Sequence, residues 1–238
     1  MQTQTLKTLD QLLFVHLEIS CWSGKKTLTP DDLGLDRSQL PPETLISLGD
    51  KQLINPDALR AFTAVRGAAR RQCLAVGARF MGGYAIPTGK AAALLDRLTA
   101  LEATYTQAKA DFLATYDQAL DAWARQQPPE WQKLIREALV PVSYVSGRLD
   151  FRVQVARFSL PETVAHPGLA TALHGLRDQI FYEIAQDARE ALEKSFQGKT
   201  EITRRALSPL LAMRDKLEGL VFVHGGFRAV MGEIERLL

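Results

Sequence analysis

The sequence predicts a mainly α-helical protein, a long antiparallel helical hairpin or coiled-coil-like bundle carrying a small two-stranded antiparallel β ribbon. Residues 90–127 contain neither glycine nor proline and keep apolar residues three and four apart. The C-terminal third repeats that spacing. Only two stretches, 12–22 and 148–155, alternate with a period of two. No internal repeat or low-complexity linker divides the 238 residues. A single domain over 1–238 is therefore expected, with a head at 1–89 plus 140–167 and a long-helix stalk at 90–139 and 168–238.

In chain order, Val15, Leu17, Ile19 and Cys21 share one face of the first strand, which stops at the turn Ser23-Gly24-Lys25-Lys26. Two short helices should follow. Thr29-Pro30-Asp31-Asp32 places a capping hydroxyl, a first-turn proline and two acids at the positive end of a helix dipole. Pro42-Glu43 opens the second, and Gly49 closes it. Asn55-Pro56-Asp57 starts a longer helix, in which Ala58, Phe62, Val65, Ala69, Cys73 and Val76 form the buried face. Gly77, Gly82 and Gly83 loosen the backbone before Pro87. If 90–127 is one helix, it is about 57 Å long at roughly 1.5 Å per residue, too long to be sheathed by a compact core, so it should pair with the C-terminal helices. Pro128-Pro129 ends it, and a short helix follows to Leu139. The second strand turns Leu149, Phe151, Val153 and Val155 to one side, and pairing with the first strand is the economical arrangement. After Pro167-Gly168, the residues Leu169, Leu173, Leu176, Ile180, Ile184, Ala188 and Leu192 form one face, and Leu210, Met213, Leu217 and Leu220 another.

Composition excludes several classes. The chain is 46% hydrophobic and 24% charged, which argues against disorder, and its formal charge of +2 names no partner. Cys21 and Cys73 are too few for a disulfide framework or a cysteine zinc site, and His16, His166, His174 and His224 lack metal-ligand spacing, so neither metal nor cofactor is expected. The first twenty residues have no signal-peptide pattern, and the longest apolar runs are too short to span a membrane. A soluble cytoplasmic protein is the expectation by elimination.

The run Gly83–Lys90, GYAIPTGK, has five residues rather than four between its outer glycines, and Ala91 stands where a phosphate loop needs Ser or Thr. A structural turn is expected there. His224-Gly225-Gly226 resembles an oxyanion-hole backbone, but no G-x-S-x-G elbow accompanies it, so a bend is the reading. One feature has binding potential. Arg60, Arg66, Arg70, Arg71, Arg79 and Lys90 fall in a stretch, 58–95, that contains no acid. The expected arrangement is a solvated face, or one paired with acids such as Asp187, Glu190 and Glu193 on a neighbouring helix; the alternative is an open surface for nucleic-acid phosphates or an acidic protein.

The segments LLFVHLEISCWSGKK, LPPETLISLGDKQLINPDALRAF, GARFMGGYAIP and FLATYDQALDAW resemble the bacterial family catalogued as domain of unknown function 3150. Trp22-Ser23-Gly24 and Gly82-Gly83-Tyr84-Ala85-Ile86-Pro87 stand where that family has its recurrent turns. The resemblance covers the N-terminal half; the remainder is similar in its helical character. It implies no catalytic residue. It does imply a product of phages or mobile elements encoded beside a MoxR-like AAA+ ATPase and a von Willebrand A-type protein. The expected function is therefore a non-enzymatic helical adaptor whose partner is one of those proteins or a second copy of itself. The alternative is a nucleic-acid-binding accessory protein that uses the basic helix face.

Overall fold

The computed structural model describes residues 8–42, 44–157, 167–199 and 203–238. They form two compact units, Met1–Leu17, Ala68–Ala100 and Val153–Leu238 in one, Glu18–Gly67 and Leu101–Arg152 in the other. The strands are β1 (Leu12–Ser20), β2 (Lys25–Thr27), β3 (Asp50–Gln52), β4 (Ala78–Phe80), β5 (Gly83–Pro87) and β6 (Asp150–Ala156). The helices are α1 (Arg60–Val76), α2 (Thr88–Ala114), α3 (Tyr116–Arg125), α4 (Pro129–Glu137), α5 (Val142–Gly147), α6 (Pro167–Ala191), α7 (Ser208–Leu220) and α8 (Phe227–Leu237). The protein is thus mainly helical, as the periodicities predict.

β1 and β6 are neighbours in one sheet, but that sheet has four strands in the order β4-β5-β1-β6. β5 is antiparallel to β1, with Val15 opposite Tyr84, and antiparallel to β4, with Arg79 opposite Tyr84. The expected two-stranded ribbon of 12–22 with 148–155 is therefore part of a larger sheet. Gly83–Pro87, taken as a turn from sequence, is a strand buried along its whole length; a strand covered on both faces has no alternation to read. A separate two-stranded antiparallel sheet pairs β2 with β3, both polar and therefore equally silent in hydropathy.

The first unit has its core between that sheet and the C-terminal helices. Leu9, Leu12, Ala78, Phe80 and Ala85 pack with Leu176, Ile180, Leu217, Leu220 and Phe227. The predicted apolar faces of α6 and α7 are buried at Leu173, Leu176, Ile180, Ile184, Leu210, Met213, Leu217 and Leu220. Ala188 and Leu192 depart from the expectation and are exposed; at Leu192 α6 runs into a π-helical turn, Leu192–Phe196, and Ala191 takes the buried position. Lys216 is buried beside these residues, and its Nζ lies 2.7 Å from Glu183 Oε2.

In the second unit the core is aromatic. Phe62 packs edge-on against Tyr105 at 5.1 Å and Phe112 at 5.6 Å between ring centroids, and Trp22 packs on Tyr116 at 5.8 Å. The polar tips are satisfied by backbone. Tyr105 donates to Ser20 O, Tyr116 to Val140 O at 2.9 Å, and Trp123 Nε1 to Gln52 O at 3.1 Å. Each buries a large apolar body without stranding a polar atom.

Two helical expectations need correction. The segment 90–127 is not one helix. It breaks at Thr115, φ −110° and ψ 8°, whose hydroxyl donates back to Asp111 O at 3.0 Å; such back-bonding by a β-branched residue competes with the helical ladder. The short helices expected near Thr29 and Pro42 are reduced to single turns. There Asp32, rather than Thr29, is the capping acceptor, taking the Thr29 N–H at 2.8 Å.

Two glycines set the position of the β4–β5 hairpin. A Cβ on Gly77 would lie 2.3 Å from Ala85 O, and one on Gly83 2.6 Å from Val15 O. The connecting residues, Met81 (φ 47°) and Gly82 (φ 80°), both have positive φ, which a two-residue type I′ turn requires. Methionine is poorly suited to that conformation, which costs a non-glycine residue about 1–2 kcal/mol. Met81→Asn should therefore raise the melting temperature by about 2–4 °C, measured by calorimetry. A lower melting temperature would show that the Met81 side chain stabilises the turn by more than the strain costs.

Candidate functional site: a cationic cavity at the β4–β5 hairpin

α1 begins where Asn55 Oδ1 accepts the Asp57 N–H at 3.0 Å, with Pro56 in the first turn, as the sequence predicts. It buries Ala69 and Cys73 and turns Arg70 and Arg71 outward. Gly77 ends it, and β4 starts on the next residue with Arg79 at its centre. Residues directly opposite in an antiparallel pair point to the same face, so Arg79 and Tyr84 project together. Arg70, Arg79, Met81, Gly82, Tyr84 and Leu17 line a cavity of about 460 Å³.

Tyr84 is only 9% exposed, and its hydroxyl has no hydrogen bond among the described residues. Because every fully buried side-chain nitrogen and oxygen among these residues is satisfied, that hydroxyl must reach open space. Burial, then the neighbouring Cys73 and last the Glu183 carboxylate, push its pKa up, whereas the Arg70 and Arg79 guanidiniums pull it down. The Cys73 thiol beneath is itself pushed up to about 12 by burial, so it stays protonated and inert.

The six basic residues singled out from sequence are not equivalent. Arg60 is exposed and bridges Asp57 at 2.8 Å on its own helical turn. Arg66 is half-buried and belongs to the segment of α1 in the second unit. Lys90 lines a different cleft, with Pro87 and Gly219. Arg71 is exposed and lines no cavity described here. Arg70 and Arg79 come together. None of Arg66, Arg70, Arg71, Arg79 and Lys90 has an ion-pair partner among the described residues. Of the two arrangements expected, pairing with the acids of α6 is not formed, since Glu190 pairs with Lys194 and Glu183 with Lys216, and Arg60, Arg70, Arg71 and Arg79 are solvent-exposed. Burial pushes the Asp187 carboxyl up, and Lys216 is the cation that opposes this.

Sequence reasoning missed a second feature. Residues 28–49, between β2 and β3, expose Leu33, Leu35, Leu45 and Ile46, the last two 74% and 51% exposed. Ile46 also lines a cleft of about 440 Å³, with Leu28, Pro30, Leu40, Pro42 and Leu48. The available signal was seven large aliphatic residues among prolines and polar residues, without the periodicity that would bury them.

The glycine-bend reading of His224-Gly225-Gly226 holds: His224 Nδ1 accepts the Gly226 N–H at 3.1 Å, and the ring packs on Phe181 and Phe227. GYAIPTGK forms β5 and the first turn of α2. Among the described residues no His, Cys, Asp and Glu cluster could hold a metal, and no helix is long and apolar enough to cross a membrane. His166 lies outside the described residues.

Fold and site together define a mainly helical protein with a small β-sheet and an open, carboxylate-free cationic cavity on its hairpin. The chain belongs to the family described as protein of unknown function DUF3150, whose sequence model matches residues 9–238, well beyond the N-terminal half that carries the quoted motifs. Neither a curated protein nor a solved structure matches it.

The 28–49 excursion is tied down at Asp32, which meets Lys51 Nζ at 2.5 Å and the Thr29 N–H. The hydrogen bond from Lys51, and then that from Thr29, hold the Asp32 carboxyl at about 2, below its ordinary 3.8. A depressed folded-state pKa stabilises above the unfolded value and is lost as pH falls through the folded one. Hydrogen exchange over 28–49 should therefore accelerate as pH drops from about 3.8 toward 2, once the intrinsic pH dependence of exchange is subtracted. Asp32→Asn should already show fast exchange at neutral pH; unchanged exchange in the variant would refute the tether.

Proposed function

We propose that the chain is a non-catalytic interaction protein, an adaptor that docks a partner protein through the excursion between β2 and β3. The observation that carries this reading is the set of exposed aliphatic side chains, Leu33, Leu35, Leu45 and the cleft-lining Ile46, on one excursion tied down by Asp32 and Lys51. A connection of more than about 12–15 residues without regular structure is usually functional when ordered, and exposed clustered aliphatics mark interaction sites. By the family resemblance, the partner is a MoxR-like AAA+ ATPase or a von Willebrand A-type protein of a phage or mobile-element module in the cytoplasm. The long helices α2 and α6 would supply coiled-coil-like pairing with that partner or with a second copy. A second reading, nucleic-acid binding, is favoured by one observation: Arg70 and Arg79 have no carboxylate to neutralise them among the described residues.

The docking reading is tested by surface plasmon resonance of the full chain against a MoxR-like ATPase and a von Willebrand A-type protein of the kind the resemblance implies. Burying one large aliphatic side chain contributes about 1.5–3 kcal/mol. Leu45→Asp and Ile46→Asp should therefore each weaken the complex by at least about tenfold. Both side chains are exposed, so the melting temperature should stay within a degree or two. Absence of binding by the unmodified chain to either protein, or equal binding by both variants, would remove the reading.

A further inference from the structure

We infer that the cavity between α1 and the β4–β5 hairpin is a binding site for a terminal phosphate group of a small molecule. Three observations meet there. Arg70 and Arg79, from different elements, line the same cavity. Neither has an ion-pair partner among the described residues. The third is the Tyr84 hydroxyl, which sits in a side chain more than nine-tenths buried, makes no hydrogen bond among these residues, and is not sealed from the cavity it lines. A hydroxyl that reaches open space from a largely buried ring, with no protein partner, is free to donate to a ligand.

The donor set selects the ligand. Two guanidiniums present planar forks of N–H donors that match the oxygens of phosphate or carboxylate in pairs. Two positive charges balance a phosphate monoester dianion, whereas a carboxylate would leave one charge uncompensated. The tyrosine hydroxyl adds a donor suited to a third oxygen. The turn that closes the cavity is held with Met81 in the left-handed region, at φ 47°, and such strain clusters at ligand sites. The charged cleft beside the π-helical turn, by contrast, is self-neutralised: Lys216 is bound to Glu183 and Lys194 to Glu190.

Shape separates a small molecule from a polymer. At about 460 Å³ the cavity falls in the range of small-molecule sites, roughly 300–1,000 Å³. The phosphodiesters of a nucleic-acid backbone carry one charge each and are flanked by sugars on both sides, so they match two guanidiniums less well than a terminal dianionic phosphate. The inference is independent of the docking reading, since the cavity belongs to the first unit and the 28–49 excursion to the second; the Leu45 and Ile46 variants leave it untouched.

The experiment is isothermal titration of the full chain in chloride buffer with inorganic phosphate, with adenosine monophosphate, and with an oligonucleotide lacking terminal phosphates. Saturable binding of phosphate and of the monophosphate is expected. Arg70→Ala and Arg79→Ala should each weaken it by at least about tenfold, as for loss of a charged hydrogen bond. Arg70→Lys, which keeps the charge and loses the fork, should fall between. Tyr84→Phe should weaken binding severalfold; if that variant does not fold, the Arg70→Lys comparison carries the test. Circular dichroism should show native folding for the arginine variants, because both side chains are exposed. No saturable binding of phosphate or monophosphate overturns the inference, as does binding that survives both alanine substitutions. Binding of the oligonucleotide alone, lost in Arg70→Ala and falling steeply with salt, overturns it in favour of the polymer reading.

Discussion

The backbone contact between Gly77 and Ala85 is the constraint on which the rest of the first unit depends. α1 ends and β5 passes so close that no side chain larger than hydrogen fits at Gly77, and on the other side of β5 the same holds at Gly83 against β1. Because both approaches are backbone to backbone, β5 cannot shift without losing one of its ladders. The ladder with β4 then places Arg79 beside Tyr84, and the end of α1 places Arg70 at the same cavity. The positive φ values of Met81 and Gly82 follow from closing a two-residue loop between strands already placed. Cationic groups that would repel one another on a pliable surface are thus held together by packing that has nothing to do with charge.

The second unit applies a different principle to the same end. Its aromatic core is cross-tied by phenol and indole tips to backbone carbonyls, including Gln52 O of β3. That strand anchors one end of the 28–49 excursion, with Lys51 holding Asp32 near its start. A rigid base presenting an irregular segment is the usual way a fold displays contact residues. The exposed leucines and Ile46 are displayed because no amphipathic pattern in the segment could direct them inward.

Much of the helical architecture was legible in the sequence, and the reasons are specific. Asn55-Pro56-Asp57 marks the start of α1 because capping is local chemistry, and the three-four faces of α6 and α7 are buried because each helix offers a single apolar stripe to the core. β1 and β6 alternate and do share a sheet. β4 and β5 were illegible, since β5 is buried on both sides and glycine there signals close approach rather than a loop. The break at Thr115 depends on one hydroxyl choosing a carbonyl, which periodicity does not register. Of the candidate site, Arg70 and Arg79 were visible as basic residues, but not that they would be left unpaired. The Glu190–Lys194 pair, four residues apart, is of the kind that spacing shows, whereas spacing could not reveal that Glu183 would take the buried Lys216. Tyr84 was hidden because its significance is an unfilled hydrogen bond, a property of the fold and not of the residue type.

Native-state hydrogen exchange on Gly77→Ala tests most directly whether the hairpin, and with it the cavity, is positioned by this backbone approach. An added methyl would have to displace Ala85 O, and overpacking of this kind costs about 1–3 kcal/mol. The amides of β4 and β5 should therefore lose protection by about tenfold or more, while those of β2 and β3 keep theirs. If the variant exchanges and melts like the unmodified protein, the hairpin is held by something other than the Gly77 contact, and the account of the cavity built on it is wrong.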